Sequence, residues 1–262
     1  MSFFDNILLG LIQGLTEFIP ISSSGHLVVA QNFLAGASNH LFLEWINIGT
    51  MLALVVYFWR RIITIIVDIT KRRRYRLARN ILLTSIPAGI VGYVAADFIE
   101  RSDFFGSIIV VAAMLTVVGV IMIVLERLPK ASAVKDGEAL TIPRALLIGV
   151  AQMVALIPGT SRSGSTIITG RLLGLSAKNA AEYSFLASLP IMAGVTAKVF
   201  LHDQSYLFEN FEVLLVGNIA AFISGLLAVG FLMRYLSRHS LAVFGWYRIG
   251  LATVIIGVLL VQ

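Results

Sequence analysis

The chain has 262 residues, 58% of them hydrophobic and 13% charged, against roughly 25% charged in a soluble domain, and its mean hydropathy is +0.91. This composition excludes an ordinary soluble globular domain and points to an integral membrane protein, while the absence of cysteine excludes disulfides and thiolate metal sites. A net charge of +6 and a pI near 9.8 would suggest nucleic acid in a soluble protein, but here the bases are gathered between apolar stretches.

The opening "MSFFDN" has no basic n-region and no small-residue cleavage site, so no removable signal peptide is expected. Residues 3–34 follow, apolar at both ends and interrupted in the middle by proline, serine and glycine. From Leu8 to Ile19 a helix rises only about 18 Å, part-way across a hydrocarbon core of roughly 30 Å. The region therefore reads as a helix, loop, helix hairpin that enters and leaves on one side. A first span is predicted over 42–59. Next comes "RRIITIIVDITKRRRYRLAR", Arg60 to Arg79, which holds eight of the twenty Lys and Arg. It is expected to be a cytoplasmic loop beside anionic headgroups; its lack of interleaved aromatics argues against a nucleic-acid surface.

Spans are predicted over 80–98 and 106–126, then a connection bearing Arg127, Lys130, Lys135 and Arg144. Residues 145–175 form a second interrupted hairpin, and spans over 179–200, 212–233 and 243–261 complete the chain. The expected fold is thus an all-α integral membrane protein with six transmembrane helices and two re-entrant helix-loop-helix hairpins.

The two hairpins resemble one another. "LLGLIQ" at Leu8–Gln13 matches "LIGVAQ" at Leu147–Gln152, and Gly10 and Gly25 have counterparts in Gly149 and Gly164, an offset of 139. At an offset of 138, Glu44 matches Glu182, Asn80 matches Asn218, Gly92 matches Gly230 and Gly119 matches Gly257. A single membrane domain built from two repeats, about 1–128 and 140–262, is expected. Each repeat holds one hairpin and three spans; three is odd, so the repeats are inverted. Arg60–Arg79, the 127–144 bases, Arg234 and Arg238 then share the cytoplasmic face, opposite Glu100, Asp103, Asp203, Glu209 and Glu212. Both termini should lie outside, with the hairpin tips meeting near the midplane.

Irregular backbone at membrane depth persists only where protein buries it or water reaches it, so the tips must build something. In "PGTSRSGST", Gly159 and Gly164 permit tight backbone turns, and Thr160, Ser161, Ser163, Ser165 and Thr166 supply hydroxyl donors. The helix resuming near Gly164 presents free N–H groups, and Arg162 adds a planar fork suited to phosphate. The stretch reads as an anion cradle; the alternative is a helix-packing break with Arg162 snorkelling to the interface.

The first hairpin, "QGLTEFIPISSSGH", offers Gln13 and Glu17 on one helix face, then Ser23 and His26 after the proline break. Arg162 aligns with Ser23, and Glu17 aligns with Leu156, so the halves have diverged into complementary chemistry. Glu17 is a candidate metal ligand or general base, or a structural carboxylate paired with Arg162. Ser23 is a candidate nucleophile if Glu17 or His26 takes its proton. His26 is a candidate acid, base or nucleophile, or a satisfied core histidine, and direct attack by water fits the same residues. Glu44 and Glu182 are expected to cap helices or line the cavity, and His40, His202 and His239 to be solvated.

At these residues the sequence resembles the undecaprenyl pyrophosphate phosphatase family, also called the bacitracin resistance protein BacA family. The motifs run from Gln13 to His26 and from Pro158 to Thr166, and the likeness covers essentially the whole chain. The resemblance implies hydrolysis of the terminal phosphate of a polyprenyl pyrophosphate, recycling the lipid carrier of cell-wall synthesis. It also implies a divalent cation, Mg²⁺ or Ca²⁺, held by Glu17 and Gln13, and catalysis by Glu17, Ser23, His26 and Arg162 in a bacterial inner membrane, with the site facing the periplasm. Where the family's first acid stands, this chain has Gln13, which either ligates through its amide or positions Glu17. A homodimer is an expectation of the resemblance alone. A lipid-phosphate flippase, built on the same inverted repeat, is the competing reading.

Overall fold

The computed structural model of the protein describes residues 3–33, 40–128 and 133–261. Lys130 and the side chains of His40, Glu100 and Asp103 lie outside the described residues. Among the described residues every regular element is a helix. These are α1 (Phe3–Phe18), α2 (Ser23–Phe33), α3 (His40–Tyr57), α4 (Trp59–Thr70), α5 (Arg76–Val94), α6 (Ala96–Arg101) and α7 (Asp103–Gly106). The chain continues through α8 (Ile108–Leu125), α9 (Ile142–Val154), α10 (Arg162–Leu172), α11 (Ala177–His202), α12 (Gln204–Glu209), α13 (Phe211–Tyr235) and α14 (Ala242–Val261). The predicted spans are α3, α5, α8, α11, α13 and α14. Five of them are long and apolar enough to cross a membrane alone, and α3 qualifies when taken with α4.

The hairpins are α1–α2 and α9–α10, broken where Pro20 and the Pro158–Gly159 pair stand. They enter from opposite ends. The outer half of the first packs with α3, α11 and α13 in a cluster of Leu9, Leu27, Phe42, Val199 and Leu214. The ends of the second sit among the base-rich connections: Val134 N donates to Gly174 O at 3.1 Å, Asn80 Nδ2 to Leu140 O at 2.9 Å, and Arg171 pairs with Glu126 at 3.8 Å. The base-bearing turns at Arg61, Arg79 and Lys135 are gathered at this same end through Arg61–Glu182, Asn80 and Asn179.

Packing is exchanged between the halves. α1 lies along α13 and α9 along α5, while α3 lies on α13, α11 on α5, and α8 on α14. Each hairpin's leading helix therefore seats on the second span of the other repeat, as a pseudo-twofold axis requires. Small residues permit the approach: a Cβ on Gly14 would lie 2.0 Å from Ser224 Oγ and 2.4 Å from Ala221 O. Large exposed side chains such as Ile109, Leu227 and Val254 face outward on the spans, where lipid tails replace water as the solvent.

Two expectations are corrected. The Arg60–Arg79 stretch is not a loop throughout, because α4 occupies Trp59–Thr70, bent 72° from α3. Its Ile62 and Ile65 pack against the core, Arg60 is exposed and Arg61 reaches inward to Glu182 of α11; a helix with apolar positions inward and bases along it suits the interface. Glu182 does not cap: it pairs with Arg61 at 3.1 Å, while Glu44 pairs with Lys198 at 3.3 Å. The cap of α11 is Ser176, whose Oγ accepts from Asn179 N at 3.2 Å.

Candidate active site

Both hairpin tips turn in the same way. Ser22 and Ser161 have left-handed φ values of 75° and 73°, uncommon for a residue with a Cβ. Each then caps the helix that follows, Ser22 Oγ accepting from Gly25 N at 3.2 Å and Ser161 Oγ from Gly164 N at 3.1 Å. Ser24 and Ser163 approach the two capping oxygens at 3.2 and 3.1 Å. The duplication seen in sequence thus survives as a duplicated turn that aims the first side chain of α2, Ser23, and of α10, Arg162.

Those two side chains converge on Glu17, in the last turn of α1. Ser23 Oγ donates to Glu17 Oε2 at 2.7 Å and Arg162 Nη2 donates to Oε1 at 2.7 Å. Gln13 Nε2 donates to Oε2 at 3.2 Å and to Asn47 Oδ1 at 2.5 Å. Glu17 and Arg162 are 13% and 16% exposed. A pair this deep contributes little net stability, because desolvation offsets its attraction, so its place at a strained tip argues for a chemical use. Arg162 Nη1 and Thr160 Oγ1 are buried without a hydrogen-bond partner. Each such donor costs about 1–3 kcal/mol if left unmet, and Arg162 Nη1, on the guanidinium that already holds Glu17, is the one placed beside the carboxylate.

The rest of the predicted cradle divides by geometry. Ser165 Oγ donates to Ser161 O at 2.8 Å, and Thr166 Oγ1 bonds Arg162 O at 2.8 Å and Ser184 Oγ at 2.5 Å. Those hydroxyls, with the Ser161–Ser163 contact, hold α10 in shape. Gly159 has φ 89°, and a Cβ there would lie 2.5 Å from Val111 O, so its missing side chain seats the tip against α8. Its N–H donates across to Ser24 Oγ at 3.4 Å, stitching the two hairpins together.

His26 stands one turn after Ser23. Its Nδ1 lies 2.7 Å from Ser22 O and its Nε2 2.8 Å from Tyr247 Oη. No contact with Ser23 or Glu17 is seen, so the hydroxyl's partner here is Glu17 alone among the two bases considered.

Arg248, on α14, was not signalled as a site by the sequence reading, yet it is fully buried at 0% exposure. It donates to Gly159 O at 2.5 Å, Thr160 O at 3.0 Å, Pro20 O at 3.2 Å, and Met114 O and Leu115 O at 3.4 Å. Broken helices leave carbonyls without amide partners, and a guanidinium with five N–H donors can serve both loops at once. The available signal was a lone cation inside an otherwise apolar span.

No group of three or more His, Cys, Asp or Glu that could hold a metal is found among the described residues. The oxygen donors near Glu17 are nonetheless compatible with a hard divalent ion, which commonly uses one or two carboxylates and leaves other positions to water and substrate phosphate. Asn47 Oδ1 and the Gln13 amide lie beside Glu17, but Gln13 turns its NH₂ toward both neighbours. In this arrangement Gln13 orients the carboxylate, and its oxygen would face a cation only with the amide reversed.

The fold and the site together define a multi-pass membrane protein whose two inverted re-entrant hairpins meet in a buried acid, hydroxyl and guanidinium centre suited to an anion. Comparison with known proteins is specific: the family model described as "Bacitracin resistance protein BacA" matches residues 6–254. The chain belongs to the BacA family. Undecaprenyl-diphosphatase 1 of Clostridioides difficile (strain 630) is 39% identical over 267 residues, covering 98% of this chain and 96% of its own. Undecaprenyl-diphosphatase of Pseudomonas syringae pv. tomato is 38% identical over 254 residues, covering 95% and 91%. Undecaprenyl-diphosphatase 1 of Mesorhizobium japonicum is 37% identical over 246 residues, covering 93% and 91%.

Proposed function

We propose that the chain is an undecaprenyl-diphosphatase that removes the terminal phosphate of undecaprenyl pyrophosphate, recycling the monophosphate carrier for cell-wall synthesis and conferring bacitracin resistance. The observation that carries this reading is the Glu17 carboxylate held between Ser23 Oγ and Arg162 at 2.7 Å each, with the second guanidinium nitrogen of Arg162 unpartnered.

Ser23 attacks the terminal phosphorus in line as Glu17 takes its proton. The bond from that phosphorus to the bridging oxygen breaks, and the lipid monophosphate leaves. Neutralising Glu17 removes the counter-charge of Arg162 at the moment when negative charge spreads over the equatorial phosphoryl oxygens. The guanidinium is then free to stabilise them, where a positioned cation is worth most. Water next attacks the phosphoserine with His26 accepting its proton. The Ser23 Oγ–P bond breaks, Glu17 returns the serine proton, and inorganic phosphate departs. A divalent cation, Mg²⁺ or Ca²⁺, held at Glu17 with Gln13 or Asn47 beside it, would supply charge neutralisation to the pyrophosphate when bound.

By the same reading the protein resides in the bacterial inner membrane with the site reached from the periplasmic side, acts as a homodimer, and takes no nucleic acid. A flippase using the same repeats would leave the Ser23–Glu17 contact without a purpose, and the relatives named above are diphosphatases. The test is phosphate release from a short polyprenyl pyrophosphate by purified protein in detergent, with and without chelator. Release is expected; no release with Mg²⁺ or Ca²⁺ supplied would overturn the reading.

A further inference from the structure

The imidazole of His26 is restrained on three sides. Its Nδ1 faces Ser22 O at 2.7 Å. A carbonyl only accepts, so Nδ1 carries the proton, and Nε2 is the basic nitrogen of the neutral ring. Nε2 in turn faces Tyr247 Oη at 2.8 Å, and the rings stack with centroids 5.7 Å apart and planes 6° from parallel. The carbonyl on one edge belongs to the left-handed residue of the hairpin tip; the hydroxyl on the other belongs to α14, next to the arginine that holds both tips. Tyr247 is 49% exposed, so protein does not enclose the ring that holds the half-buried base.

We propose that Tyr247 orients His26 and relays a proton to it: the Ser22 carbonyl holds the proton on Nδ1, and the tyrosine hydroxyl fixes the ring and makes Nε2 the working nitrogen. This rests on the diphosphatase reading. The single lone pair of Nε2 is occupied by the tyrosine hydroxyl, so a proton bound for His26 passes through it. As the hydrolytic water bonds to phosphorus, Oη accepts the water's proton while its own moves to Nε2, and the Ser23 Oγ–P bond breaks. A rotated hydroxyl then accepts from the Nε2–H of the imidazolium, so both charge states are met without moving a side chain. A metal-held histidine owes its tautomer to the partner on its far nitrogen, and the Ser22 carbonyl here serves the same end for a free base.

Tyr247→Phe keeps the stacked ring and deletes only the hydroxyl. In protein with ¹⁵N-labelled histidine, the resonances lost in His26→Gln identify the ring, and the wild type should show a single Nδ1–H tautomer. Tyr247→Phe should shift the Nε2 signal while Nδ1 stays protonated. Its kcat should fall roughly three- to tenfold, with KM changed less than twofold and no further loss when it is added to His26→Gln. Unchanged His26 resonances and kcat would overturn the proposal, as would an equal loss in the His26→Gln background. Absence of phosphate release by the wild type would instead remove the diphosphatase reading, while the tautomer remains measurable.

Discussion

Ser23 and Arg162 hold equivalent places in the two halves of the chain, 139 positions apart, and each reaches a different oxygen of the same carboxylate at 2.7 Å. The turn that aims them is duplicated, but the acid is not, because Leu156 stands where a second Glu17 would. One carboxylate therefore serves a hydroxyl from its own half and a guanidinium from the other. Duplication supplied the geometry, and divergence at two positions supplied the chemistry.

Glu17→Gln keeps the size of the side chain and removes its charge and basicity. Turnover should fall at least about 100-fold, the scale of a lost general base, while the protein still elutes as a single species in detergent. Phosphate release within threefold of wild type would show that Glu17 is only a structural partner of Arg162.

Arg162→Lys retains the charge but not the fork that holds Glu17 with one nitrogen and leaves another for substrate. A point charge cannot reproduce both contacts. We expect kcat/KM to drop on the order of 100-fold, read from initial rates over a range of lipid concentration, with Arg162→Ala lower still. Full activity in the lysine variant would mean that charge alone suffices.

Ser23→Ala distinguishes the attacking atom. Substrate labelled in its terminal phosphate, quenched during turnover with detergent denaturant at neutral pH, should leave label on the wild type and none on the variant. Label retained by Ser23→Ala would move the attack to His26, and label on neither would favour direct attack by water.

For Arg248→Met two effects compete. Removing a buried cation relieves its desolvation, several kcal/mol in general, yet it strands carbonyls of both loops at about 1–3 kcal/mol for each that finds no new donor. Three loop carbonyls, those of Pro20, Gly159 and Thr160, depend on this side chain, so the second effect should prevail. We expect a lower thermal midpoint in detergent and a kcat depressed even where the variant is folded, with Arg248→Lys between it and wild type. A midpoint equal to wild type would show that the loops hold themselves.

Much of this molecule is legible in its sequence because lipid enforces simple rules. Apolar runs become spans, and proline or glycine within an apolar run marks a tip, which located α1–α2 and α9–α10 to within a few residues. The Glu17–Arg162 meeting followed from inverting an odd number of spans. α4 was hidden because its bases drew the eye from the apolar positions Ile62 and Ile65 among them. Tyr247 carried no local signal: its partner lies 221 positions away, and only the packing of α14 against α8 and the first tip creates the contact.

The exchanged seating of α1 on α13 and α9 on α5 has a consequence for biosynthesis. A ribosome finishes the leading helix of the first hairpin nearly two hundred residues before it makes the surface on which that helix rests. Until then Glu17 can have its arginine, which is already made, but not the α13 surface that seats α1, so a chain cut short before residue 211 holds the acid and the guanidinium without the packing that places them.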